Sequence, residues 1–242
     1  MKLKMLGTGG AINDGLPYNS FIVDSTLLVE TPPDIMNSLY REGIERRDIS
    51  TIYISHFHAD HCFGLPFLLL KNFFDGFTET INIKGPRGIN KWVQDICALA
   101  FGPENRMQGW VSKNVICEEI IEGMAIRVGK VYTLTPLRMF HSQETYGFNL
   151  NAGGKRLLYI ADSYWDMSLL KYMDDADAVL IDLNGEKSDT VKVHISEDDL
   201  VKHALPYIKN REMIFYGTHL KASKVSSNKK IRYMKPGDEI MI

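Results

Sequence analysis

Six consecutive residues, His56-Phe57-His58-Ala59-Asp60-His61, concentrate three imidazoles and one carboxyl group in a single short stretch. Neutral imidazole nitrogens suit zinc and iron, and a carboxylate oxygen suits harder divalent ions while sharing a site with nitrogen. This is more donor capacity than one closed tetrahedral site draws from so short a segment. Two adjacent metal ions account for the density better than one. The other four of the seven histidines, His141, His194, His203 and His219, are spread over the second half of the chain.

The elements that must position these side chains can be read from apolar periodicity. The run Thr51 to Ile54 predicts a strand that ends just before His56. Its end leaves the histidines on a loop, outside strand alternation, where they can converge. Further strands are predicted at Leu3 to Leu6, Thr80 to Lys84, Val115 to Glu119, Ala125 to Val128, Val131 to Phe140, Tyr146 to Asn151, Arg156 to Ala161, Ala178 to Leu183 and Met213 to Tyr216. Phe21 to Asp24 and Leu27 to Glu30 flank a Ser-Thr link and read as a hairpin. Thr31 is placed to cap a helix with Pro32 in its first turn and Ile35, Met36, Leu39 and Tyr40 as its apolar stripe. Helices are expected over Gly64 to Phe74, Gly88 to Phe101, Asp166 to Met173 and Glu197 to Ile208, the last kinked or shortened by Pro206. The alternation predicts one α/β domain over residues 1–242, with two packed sheets covered by helices.

Composition narrows the function classes. Of 242 residues, 45% are hydrophobic and 24% charged, which excludes a disordered chain. Lys and Arg number 28 against 30 Asp and Glu, so no whole-protein basic field exists for gripping nucleic acid. Three widely spaced cysteines imply neither a disulfide framework nor a metal clip, and point to a reducing, cytoplasmic compartment. No run of 18 apolar residues occurs, and the glycine-rich opening breaks any leader-like apolar core, so no membrane partner is expected.

Ser55 to His61 resembles the His-x-His-x-Asp-His signature of the metallo-β-lactamase-fold hydrolases. The flanking Gly43-Ile44, Asp48-Ile49 and Gly64-Leu65-Pro66 are similar to the ribonuclease Z branch, which processes tRNA three-prime ends and has cyclic phosphate phosphodiesterases as neighbours. Leu6-Gly7-Thr8-Gly9-Gly10 and Gly85-Pro86-Arg87-Gly88-Ile89 match as well, so the likeness runs through nearly the whole chain. It implies a four-layer αββα sandwich with the metals at the edge of the two sheets.

The same resemblance supplies the remaining ligands. His141 precedes Tyr146-Gly147-Phe148 as in the family's third-histidine segment, Asp162 follows Leu157 to Ala161 as the bridging aspartate, and His219 in Tyr216-Gly217-Thr218-His219 matches the last ligand. The implied arrangement puts His56, His58 and His141 on one ion, Asp60, His61 and His219 on the other, and Asp162 between them. The ions are expected to be zinc, with manganese or iron as alternatives, and a hydroxide between them is the expected nucleophile. Asp60 and His194 are the expected catalytic residues. Val193-His194-Ile195-Ser196 leads into a helix opened by Ser196 and Asp199, a capping-box spacing whose backbone N–H groups favour an anion. In the phosphodiesterase branches a histidine at this point lies beside the substrate phosphate. His203, mid-helix, reads as a solvated face.

Two departures bear on substrate. Thirty-one residues separate Asp162 from His194, leaving no room for the long arm with which ribonuclease Z proteins grip tRNA. The cysteine zinc site of the cyclic phosphate phosphodiesterases has no counterpart either. Lys221, Lys224, Lys229, Lys230, Arg232 and Lys235 gather without an intervening acid, as a phosphate-binding rim or a solvated positive face. Tyr164-Trp165 and the stretch Phe101 to Trp110 are candidates to wall or cover the pocket. The expected function is therefore a dinuclear metal-dependent hydrolase of small cyclic or nucleotide-like phosphodiesters. A homodimer is among the expected assemblies, and RNA is not the favoured substrate. The alternatives are a tRNA three-prime processing endonuclease and a non-hydrolytic metal-binding accessory protein of cofactor biosynthesis.

Overall fold

The computed structural model describes residues 1–187, 192–210 and 212–242. Among them two seven-stranded sheets form. The first runs in the order β14 (Glu239–Met241), β1 (Lys2–Gly7), β2 (Ser20–Val23), β3 (Leu27–Val29), β4 (Thr51–Tyr53), β5 (Ile81–Gly85) and β6 (Val115–Glu119). The second runs β13 (Ile231–Tyr233), β12 (Phe215–Thr218), β11 (Ala178–Asp182), β10 (Lys155–Ile160), β9 (Tyr146–Ala152), β8 (Tyr132–Arg138) and β7 (Ile126–Val128). Each sheet is part antiparallel and part parallel, with β3 to β6 parallel in one and β10 to β13 parallel in the other.

Strand alternation sorts the core. On β2 and β3, Phe21, Val23, Leu27 and Val29 face the opposing sheet, while Ile22 and Leu28 face the outer helices. Between the sheets the rings of Phe21, Tyr53, Phe148 and Tyr159 interlock: Phe21 meets Tyr159 edge-on at 5.0 Å, and Tyr53 meets Phe148 edge-on at 4.9 Å. Outside the first sheet lie α1 (Ile35–Arg41), α3 (Leu65–Phe74), α4 (Ile89–Phe101) and α5 (Arg106–Asn114), packed through Leu39, Leu68, Leu69, Val93 and Val111. Leu169, Met173, Leu200 and Ala204 come from short helical segments that pack with the second sheet, among them α6 (Leu170–Met173) and the turn that follows α7 (Glu197–Asp199). The result is the αββα sandwich.

The structure departs from the sequence reading in places with clear causes. Helix α1 starts at Ile35, not after Thr31, because Pro32 and Pro33 extend the approach; Asp34 makes no side-chain cap and instead accepts the Tyr18 N–H at 3.2 Å. The stretch Phe101 to Trp110, a candidate to wall or cover the pocket, folds partly into α5, whose Asn105 cap accepts the Gln108 N–H at 3.1 Å. Trp110 is packed in place by donating its indole N–H to the Phe77 carbonyl at 2.8 Å. The Ser196–Asp199 capping box forms reciprocally, but after α7 the chain winds into a wider π-turn over Leu200–Ala204 and ends before Pro206. The last three residues of the six-residue signature join Cys62 in a short helix (α2, Ala59–Cys62), so Asp60 and His61 are helical and not on a loop.

Candidate metal centre

The parallel strands of both sheets point their carboxyl ends at one place. Beyond β4 stand Ser55 and His56, beyond β10 stands Asp162, at the end of β11 stands Asp182, and beyond β12 stands His219. Ligand sites lie at such strand ends in open α/β sheets for the same topological reason. His141 arrives on the turn between β8 and β9, and α2 carries Asp60 and His61.

Two clusters hold the expected ligands, and a third group, Asp162, Asp182, His194 and His219, adjoins them. In the first, His58 Nδ1 lies 2.9 Å from His56 Nε2 and 3.2 Å from His141 Nε2, and Asp162 Oδ2 is 4.0 and 3.9 Å from those two Nε2 atoms. In the second, His219 Nε2 lies 3.2 Å from both His61 Nε2 and Asp60 Oδ2. Asp162 reaches this group too, with Oδ1 3.4 Å from His61 Nε2 and Oδ2 3.4 Å from His219 Nε2. Asp162 is thus the carboxyl group common to both clusters. Nitrogen ligands about 2.0–2.1 Å from a shared tetrahedral ion stand about 3.3 Å from one another, which is close to these separations.

Burial and charge fit the same purpose. His56, His61, His219, Asp60 and Asp162 are all buried. Asp162 Oδ1, His61 Nδ1 and His219 Nδ1 have no hydrogen-bond partner, an expensive state for buried polar atoms. Although burial opposes it, the charges of Asp162, Asp182 and Asp60 push the His219 imidazole up to about 10, and Asp162 with Glu30 pushes His61 up as well. Conversely, burial and neighbouring imidazoles hold His56 well below its ordinary value. The carboxyl groups draw positive charge onto His61 and His219. Divalent ions held by the same N/O donors would meet that demand without protonating a ligand.

Close backbone packing completes the geometry. His219 adopts a left-handed φ of +60°, which costs free energy outside glycine and is sustained by its surroundings. Its neighbour Leu220 is tied on both sides, donating to the Thr8 carbonyl at 2.6 Å and accepting the Gly10 N–H at 2.9 Å. A Cβ at Gly10 would stand 3.0 Å from His219 Cε1 and 2.7 Å from Asn184 Nδ2, so the glycine-rich loop can close on the ligand only without a side chain.

Two acidic residues at this place were not legible in the sequence. Asp182 Oδ2 lies 2.6 Å from His194 Nδ1 and accepts the Ser163 N–H at 3.3 Å, while Oδ1 is 3.5 Å from His219 Nδ1. Glu30, wholly buried, stands 3.6 Å from His61 Nδ1. Each is a lone acid ending or following a strand, with no spacing signal to mark it.

The remaining candidates fall at the periphery. The His194 ring centre is 5.2 Å from that of His219 and 5.9 Å from that of His141, so it borders both clusters. Tyr164 pairs with Phe140 at 5.6 Å beside His141, and Trp165 stacks on His203 at 6.3 Å, so His203 is exposed but not free of contact. In the late basic cluster Lys224 pairs with Glu186 at 3.0 Å and Arg232 with Asp238 at 3.4 Å, which spends part of its charge within the fold.

Comparison with known proteins places this architecture. The solved metallo-β-lactamase-fold protein YhfI from Bacillus subtilis matches with a TM-score of 0.77 at 18% identity, covering 99% of this chain and 98% of that one. The short form of human tRNase Z matches at 0.78 and 16%, covering 100% and 99%, and Zn(2+)-bound PqqB from Methylobacterium extorquens at 0.75 and 17%, covering both chains in full. The fold is the metallo-β-lactamase fold. The family model described as anti-Pycsar protein Apyc1 matches residues 1–239, and the chain belongs to that family. Among curated proteins, the ribonuclease Z of Picrophilus torridus is 34% identical over 102 residues, 40% of this chain and 33% of that one. The chain spans about a third to a half of the length of the curated relatives it matches. No described helix is long and apolar enough to cross a membrane.

Proposed function

We propose that the protein is a dinuclear metal-dependent phosphodiesterase acting on small cyclic or nucleotide-like phosphate diesters in the reducing cytoplasm. One observation carries this reading: seven N/O donors form two clusters that share Asp162. His56, His58 and His141 would hold one ion, Asp60, His61 and His219 the other, and zinc is the metal that best suits five imidazoles with two carboxylates. When bound, the pair of ions supplies Lewis acidity toward a phosphoryl oxygen and a nucleophile at neutral pH.

The chain's own residues account for the rest. Asp182 accepts a hydrogen bond from the Nδ1–H of His194, which fixes the ring and leaves Nε2 for the substrate. From there His194 hydrogen-bonds a phosphoryl oxygen or gives its proton to the departing oxygen. Its place between the two clusters supports phosphodiester chemistry over acyl transfer. The segment between Asp162 and His194 supports a small substrate, because its 31 residues already include α6 and β11 and are too few for a long arm as well.

The likeness to ribonuclease Z keeps a second reading in view, cleavage of tRNA precursors. A panel of bis-p-nitrophenyl phosphate, cyclic nucleotides, cyclic phosphosugars and a tRNA precursor, run on metal-analysed protein, separates the two. Small diesters should be turned over with kcat/KM at least comparable to the precursor. A precursor favoured by several orders of magnitude would establish the endonuclease instead, and no turnover at full metal occupancy would leave the role of a metal-binding accessory protein.

A further inference from the structure

Among the described residues, Glu30 is the acid at the site that neither belongs to the assigned ligand set nor contacts His194. It is wholly buried, yet among the described residues its ion-pair partner is neither Lys nor Arg but His61. Its φ of +66° is left-handed, a conformation that a glutamate adopts only where the surroundings impose it. Here the imposition is visible. The Glu30 N–H donates to the Tyr53 carbonyl at 2.8 Å and the Thr31 N–H donates to the His61 carbonyl at 2.7 Å, which clamps the end of β3 between β4 and α2. That turn of backbone throws the Glu30 side chain behind the ligands.

Once there, its two oxygens are divided between the two clusters. Oε2 accepts the Ser55 N–H at 3.2 Å, and Ser55 Oγ lies 2.9 Å from His56 Nδ1. Oε1 stands 3.6 Å from His61 Nδ1, an atom with no hydrogen-bond partner, and accepts the Tyr159 hydroxyl at 3.4 Å. Tyr159 continues across to the other sheet. Its oxygen accepts Asn19 Nδ2 at 3.3 Å, and Asn19 Oδ1 accepts the Thr218 hydroxyl at 2.6 Å, one residue before His219. The donors all run one way, from Thr218 through Asn19 and Tyr159 to Glu30, so each bond polarises the next. All four side chains are buried.

We propose that Glu30, held by Tyr159, is the positioning residue of the metal centre: it keeps the proton of His61 on Nδ1 so that Nε2 faces the second ion, and through Ser55 it steadies His56 on the first. This rests on the dinuclear reading above. Histidine ligands depend on such a partner on the non-ligating nitrogen, and its loss typically weakens metal binding about 10- to 100-fold. The Thr218–Asn19–Tyr159 relay gives the same carboxyl group a fixed distance to the strand that carries His219.

The test compares wild type, Glu30→Gln and Tyr159→Phe by zinc titration against a chromophoric chelator, with thermal melting of the metal-free proteins alongside. Glu30→Gln should weaken at least one of the two zinc sites by about 10- to 100-fold. Tyr159→Phe, which removes one hydroxyl and keeps the ring packing, should weaken it in the same direction by less. If both variants hold both ions with wild-type affinity, the proposal is overturned. It is equally overturned if metal-free melting falls while both affinities stay unchanged, since that is a packing role alone. Wild-type protein that takes up fewer than two zinc ions would remove the dinuclear reading itself, and the first titration shows this before any variant is compared. Should Glu30→Gln fail to fold, Tyr159→Phe alone decides.

Discussion

Asp182 Oδ2 and His194 Nδ1 meet at 2.6 Å, and the same aspartate turns its other oxygen toward His219 at 3.5 Å. One buried carboxyl group therefore holds both the histidine assigned to the substrate and a histidine assigned to a metal. Burial opposes a charged imidazole at His194, but Asp182 outweighs it and pushes the group above its ordinary value.

That pairing predicts a leaving-group signature. His194→Ala should keep both metals and lower kcat on cyclic nucleotides by about a hundred- to ten-thousandfold, the usual worth of general acid or base assistance. The loss should shrink on bis-p-nitrophenyl phosphate, whose departing phenolate needs no proton. Asp182→Asn should show the same leaving-group dependence in kcat. An equal loss on all diesters would make His194 a phosphate anchor, and no loss would make it a bystander.

Asp162 stands within 4.0 Å of ligand nitrogens in both clusters. Asp162→Ala should drop the metal content of replete protein from two ions per chain to one or none, because two dications lose the charge that offsets their repulsion. Elemental analysis after dialysis reads this directly. A count of one in wild type, unchanged in the variant, contradicts the dinuclear assignment.

Gly10 offers a test of the loop that closes on His219. A methyl group there would crowd Asn184 Nδ2 at 2.7 Å and His219 Cε1 at 3.0 Å. Asn184 can swing away, whereas a ligand displaced by a few tenths of an ångström cannot keep its geometry. Gly10→Ala should cut kcat/KM by about tenfold or more. Wild-type kinetics would mean that the loop yields.

The thiols give a prediction away from the site. Burial pushes Cys97 up to about 12 and Cys117 up to about 11. A raised value means less thiolate at any given pH, so at pH 8 about one Cys117 in a thousand is reactive. Disulfide-exchange reagents should label both slowly in the native protein and rapidly in denaturant, and the native Cys117 rate should climb about tenfold per pH unit up to pH 10. A fast stoichiometric native labelling of either residue at pH 8 would contradict this.

How much of this could be read from residues alone depended on how far apart they lie. The donors of His56 to His61 are adjacent in sequence, so their chemistry is apparent without the fold. Asp162 and His219 became candidates only through family resemblance, since an acid after a strand more often caps a helix. Glu30 and Asp182 escape because their roles arise from a left-handed turn and from contacts between a strand end and distant loops, neither of which leaves a periodic trace. Helix α5 is not legible in the sequence because Gly109 and a run of polar residues interrupt its pattern, and it is secured by contacts such as that from Trp110 to Phe77. The short edge strands β13 and β14 carry too few residues to show alternation.

The first sheet is built almost wholly from the first half of the chain and the second sheet from the second half. Each donor cluster draws on both: His56 and His58 with His141, and Asp60 and His61 with His219. Neither half can therefore assemble even one cluster alone. Any ion held there is a rivet through the seam, and its affinity is a gauge of how firmly the halves are docked. By thermodynamic linkage, stripping the ions should loosen the seam before it loosens either sheet.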